Sequence, residues 1–338
     1  MSKNQTLGID FTEGNLTRKL LRFLGPFLLA NLLNSIYNTV DMVVIGWFVG
    51  DVGTVAVSLG GKVLNMFTVF SIGMASGGQI LIAQLVGAKQ KKELNSTIGT
   101  LFSSLGIISV VLGMVCLVFS EQILLLLNTP VESFASAKTY FVITCVGLPL
   151  IFGYNAVSSV LMGMGNSKHP LIFIAIAAVI NLVLDIVFIA QFNMGVMGTA
   201  LATVIGQGVA LMASVILLYR RRKEFFFDFS PQSFVPDKDK LKTIMRISVP
   251  TASQSLFIHT TQLIIISYVN TYGLVEAAAF SIADRIIVLS NIVCLSVRQA
   301  GGAVIGQNIG ARQFERSREV VISFLKITMG FATLLATV

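Results

Sequence analysis

The chain has 338 residues, 54% of them hydrophobic and only 12% charged, with 24 Lys and Arg against 16 Asp and Glu. A mean hydropathy of +0.83 over this length exceeds what one water-soluble core could enclose. That excludes an ordinary soluble enzyme or soluble binding domain.

In chain order, the first 23 residues are polar and mixed in charge, and the first apolar run already has span length, so no cleavable signal peptide is expected. Nine apolar runs follow, near 24–48, 58–86, 98–119, 139–162, 171–191, 196–219, 247–269, 277–305 and 320–338. A membrane-crossing helix needs about 20 mostly apolar residues. In lipid, helices this long satisfy their own backbone amides. The spacing therefore predicts an all-α polytopic membrane protein in a lipid bilayer. Its three cysteines lie inside apolar runs and read as small buried hydrophobes, not as a disulfide framework.

Charge placement gives the orientation. If the N-terminus is cytoplasmic, 19 of the 24 Lys and Arg fall on the cytoplasmic side. The opposite loops carry mainly acids such as Asp51, Glu121, Glu132 and Glu276. This is the positive-inside pattern, so the basic excess marks topology and not a nucleic-acid surface.

The chain also repeats itself. Gln84-Leu-Val-Gly87-Ala88-Lys89-Gln90 closes the second run, and Gln307-Asn-Ile-Gly310-Ala311-Arg312-Gln313 closes the eighth. The same register pairs Lys62 with Arg285, and a slip of one residue pairs Pro26 with Pro250. Six runs separate the copies, so both enter the membrane in one direction: a parallel repeat of six-helix halves. The expected organisation is a six-helix lobe over 1–222, a cytoplasmic linker over 223–242 and an incomplete three-helix second lobe over 243–338. The linker carries Glu224-Phe-Phe-Phe-Asp228-Phe, whose rings are expected at the membrane surface or on helix ends.

Charged groups inside apolar runs are costly, about 2.5–3.5 kcal/mol for a carboxylate at mid-membrane, so they point to function. Asp41 stands roughly 26 Å and Asp185 roughly 21 Å along their helices from the cytoplasmic side. Asn34, Tyr37, Asn38 and Asp41 form one helical stripe at i, i+3, i+4 and i+7. Asn181 lies one turn from Asp185, and Thr199, Thr203 and Gln207 recur every four residues on the sixth run. Thr203 reaches roughly 11 Å in from the outer side, near the level of both acids. Two nearby carboxylates in low dielectric cannot both ionise cheaply, so one takes up a proton. Together with Asn181 and Thr203 they equally offer hard oxygens to a small cation. Interhelical hydrogen bonding alone is the competing reading for such polar groups. Asp41 maps onto Ile265 in the second copy, which favours a dedicated site in the first half. Asp284 is a weaker candidate. No nucleophile or metal constellation suggests a membrane enzyme.

The stretch from Gly163 through Gly165 and His169 to Pro170, followed by Asn181-Leu-Val-Leu-Asp185, resembles the signature of the multidrug and toxic compound extrusion (MATE) family. So do Pro26 with Tyr37 and Asp41, Gly46, the Gly-Val-x-Gly-x-Ala stretch at 195–200, and the doubled Gln-x-x-Gly-Ala motif. The acid pattern looks like the DinF-like branch. The resemblance implies twelve helices in two lobes, of which the last three are absent here, and a cation-coupling site at Asp41, Asn181, Asp185 and Thr203. Those four would ligate the ion if it is Na+. Tyr37 joins the network, and Asn155 is a further match. It implies no cofactor but a coupling ion, H+ or Na+, entering as an organic, cationic and amphipathic compound leaves. The expected setting is a bacterial inner membrane, and the expected form a monomer. The alternatives are a lipid-linked oligosaccharide flippase of the same superfamily or a transport-inactive fragment.

Overall fold

The computed structural model describes the backbone of residues 8–270, 272 and 274–336. Within them, the side chains at 37–38, 41–43, 51, 263, 266–267, 270, 274–279, 281–290 and 334–336 lie outside the description. All regular structure among the described residues is helical.

Helix α1, Leu16–Gly87, starts at Asn15, whose side chain accepts from the Arg18 amide. It is broken inside at Gly50, where φ 75° and ψ −162° are accessible only to glycine. The break divides α1 into two span-length arms. Helix α2, Lys91–Val118, follows a tight turn, and the short α3, Ser120–Leu126, ends it. Helices α4, Val131–Val146, and α5, Leu148–Gly163, meet at 45°. The sequence suggested one straight run over 139–162, and Pro149 explains the difference. It lacks an N–H, and its ring occupies the place the Cys145 carbonyl would take in a continuous helix. Gly147, at the bend, sits so close to α7 that a Cβ would stand 2.6 Å from Val204 Cγ2. Helix α6, Lys168–Ile186, runs into a π turn, Val187–Gln191, and α7, Gly195–Arg220, returns beside it.

After α7 come a one-turn α8, Arg222–Phe225, and a 3-10 turn, Pro231–Phe234. Then follow α9, Lys238–Asn270, α10, Leu274–Gly310, and α11, Phe314–Ala336. Among the described residues, Val52–Gly87, Lys91–Val118, Lys168–Gln191 and Gly195–Arg220 are long and apolar enough to cross a membrane. The bent α4–α5 pair makes a fifth. The other apolar runs are helical too, on the first arm of α1 and on α9 to α11, with more polar residues interspersed.

Two halves meet at the end of the molecule that carries the basic loops. The second arm of α1 packs on α9 and α10 through small residues. A Cβ on Gly73 would touch the Ala252 backbone at 2.7 Å, and one on Gly306 would touch Ala83 Cβ at 2.8 Å. Such faces let backbones approach where lipid supplies no hydrophobic drive. The repeated motifs even end alike. Ala88 and Ala311 donate their amides to Gln84 and Gln307, and Lys89 and Arg312 both turn left-handed at φ 57° and 60°.

The linker packs on α2 and the 3-10 turn. Phe225 and Phe227 are buried, and Phe227 packs edge-on against Phe102 of α2 and Phe234. Asn95 of α2 binds Asp228 and Ser233. Only Phe226, turned left-handed at φ 54°, faces outward, beneath the Lys91 ammonium. The helix-end half of the expectation therefore describes these rings better than the membrane-surface half.

Candidate cation site

The site is built where α6 and α7 run antiparallel. Gly206 brings them together, since a Cβ there would lie 3.1 Å from the Ala177 carbonyl oxygen and 3.3 Å from Asn181 Cβ. Across that contact Asn181 Nδ2 donates to Thr203 Oγ1 at 3.3 Å. Asp185, one turn further along α6, is 1% exposed. The π turn that begins two residues later widens the helix just beyond it, a distortion frequent at functional positions. Asn181 Oδ1 and Thr199 Oγ1 are buried without a hydrogen-bond partner among the described residues. A buried polar oxygen left so is destabilising unless something binds it.

Beside this pair lies a cavity of about 20 Å³, room for one water or one small ion. Asn34 from α1, Tyr154 from α5, Asn181 from α6, and Thr203 and Gln207 from α7 line it. Among the described residues no group of three His, Cys, Asp or Glu gathers, and the donors that meet here are amide and hydroxyl oxygens. Hard oxygens of this kind suit a hydrated proton or an alkali or alkaline-earth cation better than a thiophilic metal.

The structure thus brings together Asn34, Asn181, Thr203 and Gln207, with Asp185 and Thr199 a turn away on the same helices. The side chains of Tyr37, Asn38, Asp41 and Asp284 lie outside the described residues. The α1 backbone places Asp41 two turns beyond Asn34 on the same stripe. Asn155 points elsewhere and donates to Ser71 Oγ of α1 at 3.1 Å. Sequence reasoning missed Tyr154, whose hydroxyl donates to the Pro170 carbonyl at 3.0 Å while its ring walls the cavity. Its signal was present, a tyrosine beside Asn155 in a mostly apolar run.

A helical membrane protein of two repeat-related bundles, with a polar cavity inside the first, is the class these features define. The MatE family model matches residues 26–187 and 250–338, so its two stretches begin at the repeat-paired prolines Pro26 and Pro250. The probable multidrug resistance protein YpnP of Bacillus subtilis is 32% identical over 304 residues, covering 89% of this chain and 67% of that protein. The probable multidrug resistance protein YoeA of the same organism is 29% identical over 309 residues, covering 90% and 67%. A solved outward-facing structure of a multidrug resistance MATE family transporter of the MOP superfamily superposes with a TM-score of 0.90 at 21% identity. It covers 100% of this chain and 74% of that one. The chain belongs to the MatE family.

Proposed function

We propose that the chain works in cation-coupled export of organic compounds by alternating access. The observation that carries this reading is the convergence of Asn34, Asn181, Thr203 and Gln207 on one ion-sized cavity beside the buried Asp185. A proton or Na+ entering there adds a positive charge next to amide and hydroxyl oxygens, one helical turn from the Asp185 carboxylate, and this favours one packing of α1 against α6 and α7 over another. Such a differential affinity is what lets an ion shift a two-state equilibrium. The membrane potential contributes about 2.3 kcal/mol per charge per 100 mV to the inward step. Asp185 and Asp41 hold the ion or proton, Asn181 and Thr203 complete its shell, and Tyr37 belongs to the same stripe.

The relatives' names, multidrug resistance proteins, support organic and structurally varied substrates. The charge placement supports a cytoplasmic N-terminus in a cell membrane. The test uses liposomes carrying the protein. An imposed H+ or Na+ gradient should drive ethidium out through this protein, and Asp185→Asn should abolish that movement. Gradient-driven export that persists in Asp185→Asn would sink the assignment.

A further inference from the structure

Residues 8–14, just before α1, lie across the basic end and touch both bundles. On the first-bundle side, the Ile9 amide donates to the Gly165 carbonyl at 2.9 Å. Gly165 makes this approach possible: at φ +81° its missing Cβ would stand 2.3 Å from the Ile9 carbonyl oxygen. On the other side, the Phe11 amide donates to Gln307 Oε1 of α10 at 3.1 Å. The Arg316 guanidinium of α11 donates to the carbonyls of Phe11, Glu13 and Gly14 at 2.8, 3.0 and 2.7 Å. Gln307 Nε2 also reaches the Gly163 carbonyl of α5 at 3.2 Å. One side chain therefore ties strap, first bundle and second bundle together. The Phe11 ring is fully buried, edge-on to Phe23 at 4.9 Å, in a cluster with Ala303 and Val304 of α10 and Val320 and Phe324 of α11.

We propose that residues 8–14 form a latch that holds the basic end closed. A segment this short is bonded to the α5–α6 turn at one point and to α10 and α11 at the next. It cannot follow both if the bundles part. Opening the basic end therefore requires Phe11 to leave its pocket and Arg316 to release its carbonyls. The guanidinium fork fits three backbone acceptors in a way that a lysine ammonium cannot copy. The acceptors are neutral, so the latch can let go without stranding a buried carboxylate. Whatever loosens the strap raises the population open at that end.

The inference rests on the export reading only in that the bundles separate. Its test is a distance, not transport. Spin labels at Lys92→Cys and Glu319→Cys, both exposed and one on each bundle, are placed in the 338-residue chain with its three cysteines replaced by alanine. Pulsed electron–electron resonance in nanodiscs should give a short, narrow distance in the parent. Arg316→Ala and deletion of residues 8–14 should each raise the long-distance population several-fold, with Arg316→Lys in between. Phe11→Ala gives a second route should the deletion fail to insert. Distributions identical to the parent in Arg316→Ala and Phe11→Ala would overturn the latch. Ethidium export is measured separately, so its loss with the distance shift intact would count only against the transport reading.

Discussion

The carbonyl oxygen of Gln307 lies 1.9 Å from where a Cβ on Gly87 would stand, and the Gln84 carbonyl bears the same relation to Gly310. Gly87 and Gly310 are repeat mates, as are Gln84 and Gln307, so the doubled motif is the point where the two bundles cross and each copy receives the other. Backbone sits against backbone there, and no rotamer change can make room. Gly87→Ala or Gly310→Ala should therefore cost about 1–3 kcal/mol by forcing the helices apart. Gly61→Ala is the control, because nothing lies within 4 Å of its Cβ position. Thermal melting in nanodiscs checks this, and equal midpoints for all three variants would contradict the crossing.

The repeat was legible because it is a matter of register, and register survives in the letters of the sequence. The cavity was partly legible for a related reason. Helical spacing alone places Asn34 on the stripe of Asp41, and Thr203 one turn from both Thr199 and Gln207. Spacing says which face a residue occupies but not which helix it meets. Asn155 shows the difference, since its face turns to Ser71 of α1 and not to the cavity. The bend at Gly147 was hidden by reading hydropathy alone, which averages over the run and does not record that Pro149 lacks an N–H. The linker rings were hidden because a left-handed turn at Phe226 alternates their directions, and no composition records it.

Asn155→Ala should accordingly act on stability alone. Loss of one interhelical hydrogen bond in a membrane averages about 0.6 kcal/mol and reaches about 1.7. Cation binding should stay at the parent level. A variant that melts normally yet loses the ion would place Asn155 in the site after all.

Docking of the linker depends on Asp228. The Ser233 hydroxyl and the Ser230 amide, with Asn95, hold its carboxyl down to about 2. An unfolded aspartate titrates near about 3.9, so this contribution is whole above about pH 4 and fades as pH falls toward 2. At neutral pH, Asp228→Asn should mimic that loss and make 223–242 several-fold more sensitive to limited proteolysis. Cleavage rates unchanged from the parent would mean the linker is held by its phenylalanines alone.

The charge placement supports a cytoplasmic basic end. A cysteine at Glu132 should react with an impermeant maleimide applied to intact cells, whereas cysteines at Lys91 or Lys238 should react only after permeabilisation. All three positions are exposed, so access is decided by the membrane. Outside labelling of Lys91 would invert the topology.

The first bundle carries the proposed site, so the 338 residues should bind the coupling ion. The most direct measurement is ion binding by the purified chain: retention of radioactive sodium, and proton release on adding ethidium in weak buffer. The account predicts one of these signals in the parent, its loss in Asp185→Asn and Asp41→Asn, and weakened affinity in Thr203→Ala. A full signal in Asp185→Asn, with the protein folded, would contradict the assignment of this cavity as the place where the ion binds.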